Sequence, residues 1–245
     1  MIFTHVEKVC RQYGFQGSLH IEIFIPQGIE ISKKTFNPRM GIKGGISLLG
    51  TSGMVEPMSE KALTDTIQLE LHQKHVAGLK SMILTPGNYG ESFLRDELNV
   101  NLDYAVKCSN FIGDSLDMAV QENIEEVLLV GHGGKLIKLA AGVMNTHSRW
   151  ADARLETLAA SLILAGGEAG TAAALLGANT TEEALDILHG CGWLEKTMET
   201  LMEKITYHLE HRTGGKLQAE AVVFSNVYGI LGKTKGADIL LAELQ

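Results

Sequence analysis

Three short apolar stretches, each running straight into a polar, glycine-containing turn and then a helix-like segment, constrain this chain more than any other feature. SMILTPGN (81–88) precedes YGESFLRDEL, AVKCSNFIG (105–113) precedes DSLDMAVQEN, and EEVLLVGHGGK (125–135) precedes KLIKLAAGVMN. Strands that alternate with helices predict a parallel sheet with helices packed on it. In such sheets ligands gather outside the carboxyl ends of the strands. All three loops here are rich in Gly, Asn, Ser, Thr or His, so the candidate binding face lies there. The expected fold class is α/β: a Rossmann-like, parallel-type sheet of strand–loop–helix units, with a smaller amino-terminal α+β lobe.

The lobe is expected over residues 1–58. Phe3, Val6, Val9 and Cys10 recur at helical spacing, which predicts a helix over 2–13. LHIEIFI (19–25) alternates apolar and polar residues and predicts a strand, closed by turn residues 26–28. The stretch 41–53, GIKGGISLLGTSG, is apolar, β-prone and broken by five glycines. The body, 59–245, starts at Ser59 as a helix cap, with Leu63, Ile67, Leu71 and Val76 on one face and Gly78 at the end. A helical insert is expected over 151–213, with Thr180 and Glu183 as a capping box and a long helix over 193–212. EAVVFSN (220–226) and ADILLAEL (237–244) read as further strands.

Composition narrows the function. With 45% hydrophobic and 20% charged residues the chain is globular, and no apolar run reaches the ~18 residues of a membrane span. A net charge of -8 argues against a nucleic-acid partner held through its phosphates. Cys10, Cys108 and Cys191 are widely spaced and lack a CxxC pattern, which argues against disulfides or structural zinc and fits a reducing cytoplasm. Cys108 reads as a small core residue. His72 and His75, and His208 and His211, stand three apart on helices without HExxH, so no metal site is expected.

Two segments concentrate candidate chemistry. GHGGK (131–135) follows a strand and opens a helix, where free backbone N–H groups suit a carboxylate or phosphate. It is neither a P-loop nor the GxGxxG fingerprint. His132 is a candidate donor or general acid/base, or else a turn residue. NTHSRWADAR (145–154) lies between helices. Over 127–154, Lys135, Lys138, Arg149 and Arg154 against Asp152 leave a net charge of +3, a basic island suited to an anionic ligand. His147, Ser148 and Asp152 do not make a hydrolase triad, since GxSxG is absent. Asp114 and Asp117 open a helix after SNFIG and read first as dipole and capping residues; Asp114 also sits at a strand-end loop, where a carboxylate can meet ribose hydroxyls or a cation.

Taken together, TFNPRMGIKGGISLLGTSGMVEPMS (35–59), LTPGNYGE (84–91), SNFIGD (109–114) and VGHGGKLIKLAAGVMNTHSRWADAR (130–154) closely resemble the cobalt-precorrin-5B C1-methyltransferase family of anaerobic cobalamin biosynthesis. The resemblance implies S-adenosylmethionine-dependent methylation of C1 on a cobalt-containing tetrapyrrole, yielding cobalt-precorrin-6A, with the cobalt arriving inside the substrate. It also implies an additional amino-terminal portion, with a Gly/Thr/Cys/Ala-rich motif that this sequence lacks. Little C1-methylation by this chain alone is therefore expected, as is self-association through a sheet edge left open near residues 19–25. The rival expectation is a non-catalytic tetrapyrrole-binding or assembly protein.

Loop position and charge then assign roles. Thr85, Pro86, Gly87 and Asn88, with Ser109, Asn110, Gly113 and Asp114 and with Gly131, Gly133 and Gly134, are expected at the cofactor. Gly44, Gly45, Thr51, Lys135, Lys138, His147, Arg149 and Arg154 are expected at the substrate. His132 and His147 are the catalytic candidates.

Overall fold

The computed structural model describes residues 2–35, 37–38, 41–47, 59–87 and 89–245. The chain divides into two compact units, Met1–Thr66 and Ile67–Gln245. In the first, α1 (Ile2–Gln12) and α2 (Gly28–Ser32) form before α3 (Glu60–Val76), which spans the division. Ala62 N–H donates to Ser59 Oγ at 3.2 Å, so Ser59 caps α3 as its sequence implies.

The strand expected over 19–25 does not form. Leu19, Ile21, Ile23 and Phe24 are exposed, and the described residues of this unit contain no strand. Alternation supplies one apolar face, but strand hydrogen bonds need a neighbouring strand, and none is present among the described residues of this unit. Leu19 and Ile21 instead join Phe3, Val6, Cys10 and Phe15 around a groove of about 320 Å³.

In the second unit the three strand–loop–helix units are all present. β1 (Ser81–Thr85) leads to α4 (Tyr89–Asp96), β2 (Ala105–Lys107) to α5 (Ile112–Gln121), and β3 (Glu126–His132) to α6 (Gly133–Leu136). α6 is one turn, continued by a 3-10 turn over Ile137–Ala141 that ends at Gly142 with φ +74°, where the sequence suggested a longer helix. Four helices follow: α7 (Arg154–Leu164), α8 (Ala169–Leu176), α9 (Thr181–Gly190) and α10 (Leu194–Thr213). The chain then returns to the sheet as β4 (Gln218–Ser225) and the hairpin strand β5 (Gly229–Lys233), and closes with α11 (Ala237–Glu243). ADILLAEL is thus helix and not strand. Ala237, Leu240, Leu241 and Leu244 are buried at the i, i+3, i+4, i+7 spacing of a helix face.

Strand order is β2-β1-β3-β4-β5, parallel except for β5. The sheet is buried on both faces. Ile83, Leu128, Val130, Val222 and Phe224 pack with Leu94 of α4 and with Ala237 and Leu241 of α11. The alternate residues Met82, Leu84, Val127, Leu129 and Val223 are equally buried, on the face where α10 packs against β4 and α5. The chain moves outward from β1 to β2 and then returns past β1 to β3. That reversal places the loops after β1 and β3 side by side, which is where open parallel sheets form a crevice.

Candidate functional site

One cation draws the three strand-end loops together. Lys135, half-buried on α6, donates from Nζ to the carbonyl of Ser109 at 3.3 Å. The same Nζ lies 3.5 Å from where a Cβ on Gly87 would stand. Lys135 therefore touches the loops after β1, β2 and β3. Burial pulls its pKa below the ordinary lysine value, opposed by the neighbouring Cys108 thiol and reinforced by Lys138.

Packing fixes the loops beneath it. Cys108 N–H donates to the Thr85 carbonyl at 3.1 Å, tying the ends of β1 and β2. A Cβ on Gly131 would stand 2.8 Å from Pro86 Cγ and 2.9 Å from Leu136 Cγ, so only glycine lets the β1 and β3 loops approach this closely. Ser109 sits at φ +53°, a strained conformation for a residue with a side chain. Thr85 is fully buried, and its Oγ1 has no hydrogen-bond partner.

His132, either an acid/base or a turn residue by sequence, is built into its own turn. Its Nδ1 accepts from Gly134 N–H at 3.1 Å, so the neutral ring carries its proton on Nε2. Nε2 stands 3.2 Å from Glu182 Oε1, close enough for attraction but off the line of a hydrogen bond. His132 caps α6 and faces Glu182, whose other oxygen accepts from Ser225 Oγ at 3.0 Å. The anion attraction expected of the GHGGK helix start is also small, because α6 is one turn and Gly134 N–H is already engaged. Lys135 supplies the positive charge instead.

The second segment is stitched to the β2 loop. Gly113 N–H donates to Met144 O at 3.0 Å, Thr146 N–H to Asn110 O at 3.0 Å, and Phe111 and Asn145 form an antiparallel bridge. His147 and Arg149 therefore follow directly on residues bonded to the 109–114 loop. His147 Nδ1 accepts from Arg149 N–H at 3.1 Å, and the Arg149 guanidinium lies 5.3 Å from the Trp150 ring centre. Asp114 is exposed, while Asp117 holds Arg212 in a two-pronged pair.

Two of the expected substrate cations turn inward. Lys138 is 3% exposed, and its ammonium donates to Ala151 O at 2.8 Å and Thr146 O at 3.2 Å. Arg154 is held by Asp152, with a further donation to Thr181 Oγ1 at 3.0 Å. Both cations strap the 146–154 loop and are not available to an incoming carboxylate. Gly44, at φ +80°, and Gly45 belong to the first unit. Thr51 and Asn88 lie outside the described residues.

Among the described residues no three His, Cys, Asp or Glu side chains are grouped to hold a metal. His72 instead pairs with Glu122 at 2.8 Å.

Residues 1–57 match the family model CbiD, and residues 145–235 match the model described as CbiD, C-terminal domain. The chain belongs to the CbiD family. It is 44% identical over 227 residues to the cobalt-precorrin-5B C(1)-methyltransferase of Ruminiclostridium cellulolyticum, covering 93% of this chain and 59% of that one. The protein of the same name from Alkaliphilus metalliredigens is 41% identical over 241 residues, 98% of this chain and 64% of that one. The chain thus spans about three-fifths of the length of these relatives. No solved structure matches it. Within the CbiD chain, Lys135 and the three strand-end loops fall between the two matched segments. His147, Arg149, Glu182 and Ser225 fall in the carboxyl-terminal one.

Proposed function

We propose that this chain carries the donor- and substrate-binding face of an S-adenosylmethionine-dependent enzyme that methylates C1 of cobalt-precorrin-5B to give cobalt-precorrin-6A in the cytoplasm. One observation carries the reading: Lys135 is a half-buried cation at the meeting point of three strand-end loops. Such a cation suits a carboxylate, which both the donor's amino-acid end and the acid-fringed macrocycle present. The glycines around it leave room for close backbone approach, and the unpartnered Thr85 hydroxyl is a polar group beneath them.

When bound, S-adenosylmethionine supplies an electrophilic methyl group on a sulfonium. The chain's own contribution is placement and exclusion of water. In-line transfer to a ring carbon gains most from holding the reacting atoms close and aligned, and misplacement by about 1 Å can cost ~100-fold. Lys135 fixes one carboxylate, while Arg149 and His147 lie where macrocycle carboxylates would approach the 109–114 loop. The fixed loop bonds mean little reorganisation is needed on binding.

S-Adenosylhomocysteine should raise the melting temperature by mass action. Lys135→Ala should weaken its binding by about 10- to 100-fold, the loss of a charge-assisted hydrogen bond worth roughly 1.5–3 kcal/mol. Because burial lowers the Lys135 pKa, affinity should fall as pH rises before it reaches the ordinary lysine value. A melting shift with nicotinamide dinucleotides and none with S-adenosylhomocysteine would move the chain to a dehydrogenase-like class.

A further inference from the structure

Beside α4 opens a cavity whose chemistry is opposite to that of Lys135. It encloses about 280 Å³ between α4 and the β4–β5 turn, lined by Tyr89, Phe93, Phe224, Glu97 and Asn226 among others. Phe93 and Phe224 stack at 3.9 Å with their planes 2° apart. His132 meets Phe224 edge-on at 5.7 Å, and Tyr89 tilts toward His132 at 6.0 Å. The rim carries Asp96 and Glu97, and no lysine or arginine lines the cavity among the described residues. Asp96 is engaged by Arg95. Neither the Glu97 carboxylate nor the Asn226 amide has a hydrogen-bond or ion-pair partner among the described residues.

We propose that this cavity is a nucleoside subsite: it takes the purine and ribose of the methyl donor, with the base against the aromatic wall and the ribose diol on Glu97. This rests on the methyltransferase reading above and adds where the donor's nucleoside lies. Glu97, the rim carboxylate with no cation paired to it, disfavours phosphates and the carboxylates of a tetrapyrrole, so nucleotides and the macrocycle are poor occupants. The volume is below the roughly 300–1,000 Å³ of drug-sized sites, which suits one nucleoside. Vicinal hydroxyls donate well to a carboxylate, and a planar base gains by contact with aromatic rings.

The cavity and Lys135 are linked by one short loop. Gly87 faces Lys135, and Tyr89, two residues on, rims the cavity. Two residues span at most about 7 Å of backbone. On this proposal a single ligand carries its nucleoside in the cavity and its carboxylate toward Lys135, passing the loop that joins them.

Titration calorimetry with S-adenosylhomocysteine, 5′-methylthioadenosine and AMP tests this. Glu97→Gln and Tyr89→Leu alter exposed side chains, so an unchanged melting temperature will report an intact fold. Glu97→Gln should weaken both S-adenosylhomocysteine and methylthioadenosine by about 10- to 100-fold, and Tyr89→Leu should weaken both as well. Lys135→Ala should weaken S-adenosylhomocysteine and leave methylthioadenosine unchanged, while AMP should bind the native chain more weakly than methylthioadenosine. If S-adenosylhomocysteine binds equally to the native chain and both cavity variants, the subsite is wrong and the methyl-donor reading stands. If the native chain binds neither thioether, both fall together.

Discussion

Lys138→Ala is expected to lower the stability of the 67–245 unit by about 2–4 kcal/mol, measured by urea unfolding. The substitution removes a buried aliphatic stem, and it strips a donor from Thr146 O and Ala151 O. Lys138→Met should recover part of the loss by filling the space, without restoring the two bonds. Lys135→Ala makes the informative contrast. It should change stability by no more than about 0.5 kcal/mol, since its one bond is long and its charge is half-buried, while ligand binding suffers. Two lysines three residues apart would then separate cleanly into one that holds the loop and one that faces the ligand. Native-like stability in Lys138→Ala would show that its ammonium does not strap the loop.

The other large effect is alkaline. Burial pushes the Cys108 thiol up to about 12 from an ordinary value of 9.0, only partly offset by the Lys135 charge. Between those values the unfolded chain gives up the thiol proton and the folded chain keeps it. The stability contribution is therefore complete below about pH 9 and is lost as pH rises toward 12. A gap of this size corresponds to at most about 4 kcal/mol at 1.36 kcal/mol per pKa unit. Lys135 and Lys138, lowered by burial, act in the reverse sense over alkaline pH, so the comparison must be between variants. Cys108→Ala should be less stable than the native protein near neutrality, with the difference shrinking or inverting by pH 10.5. Parallel stability curves for the two proteins would rule out a protected thiol.

The strands of the sheet interior were readable because SMILT and EVLLVGH combine continuous apolar character with β-branched residues and end in turn chemistry. ADILLAEL was misread for a physical reason: a short apolar run bounded by turns fits strand and helix alike, and only the sheet and α4 around it decide. LHIEIFI failed differently. A helix satisfies its own backbone, whereas a strand depends on a partner elsewhere that its own letters do not specify. The site shows the same division. The three loops were found because each follows its own strand. The inward turn of Lys138 and Arg154 was not, because a count of charges over a segment says nothing about which way a side chain points. Glu182, fifty residues beyond His132, carries no local signal at all; it meets the imidazole only because α9 folds back over the end of β3.

The pairing of β3 with β4 also sets an order of events in time. Glu126 lies against Gln218 and His132 against Phe224, each pair separated by 92 residues of chain. Closing a loop of that length is costly in entropy before any contact repays it, and topologies dominated by such distant pairings fold slowly. On the ribosome, β1, β2 and β3 emerge early, with one edge of β3 unsatisfied while the four helices α7 to α10 are still being made. His132 gains its Phe224 neighbour, and Glu182 its serine, only once residues 218–225 have been synthesised. A nascent chain paused in α10 would therefore carry Lys135 and its loops but leave the neighbouring cavity without its Phe224 wall, and the open flank of β3 would be a ready place for a chaperone to hold.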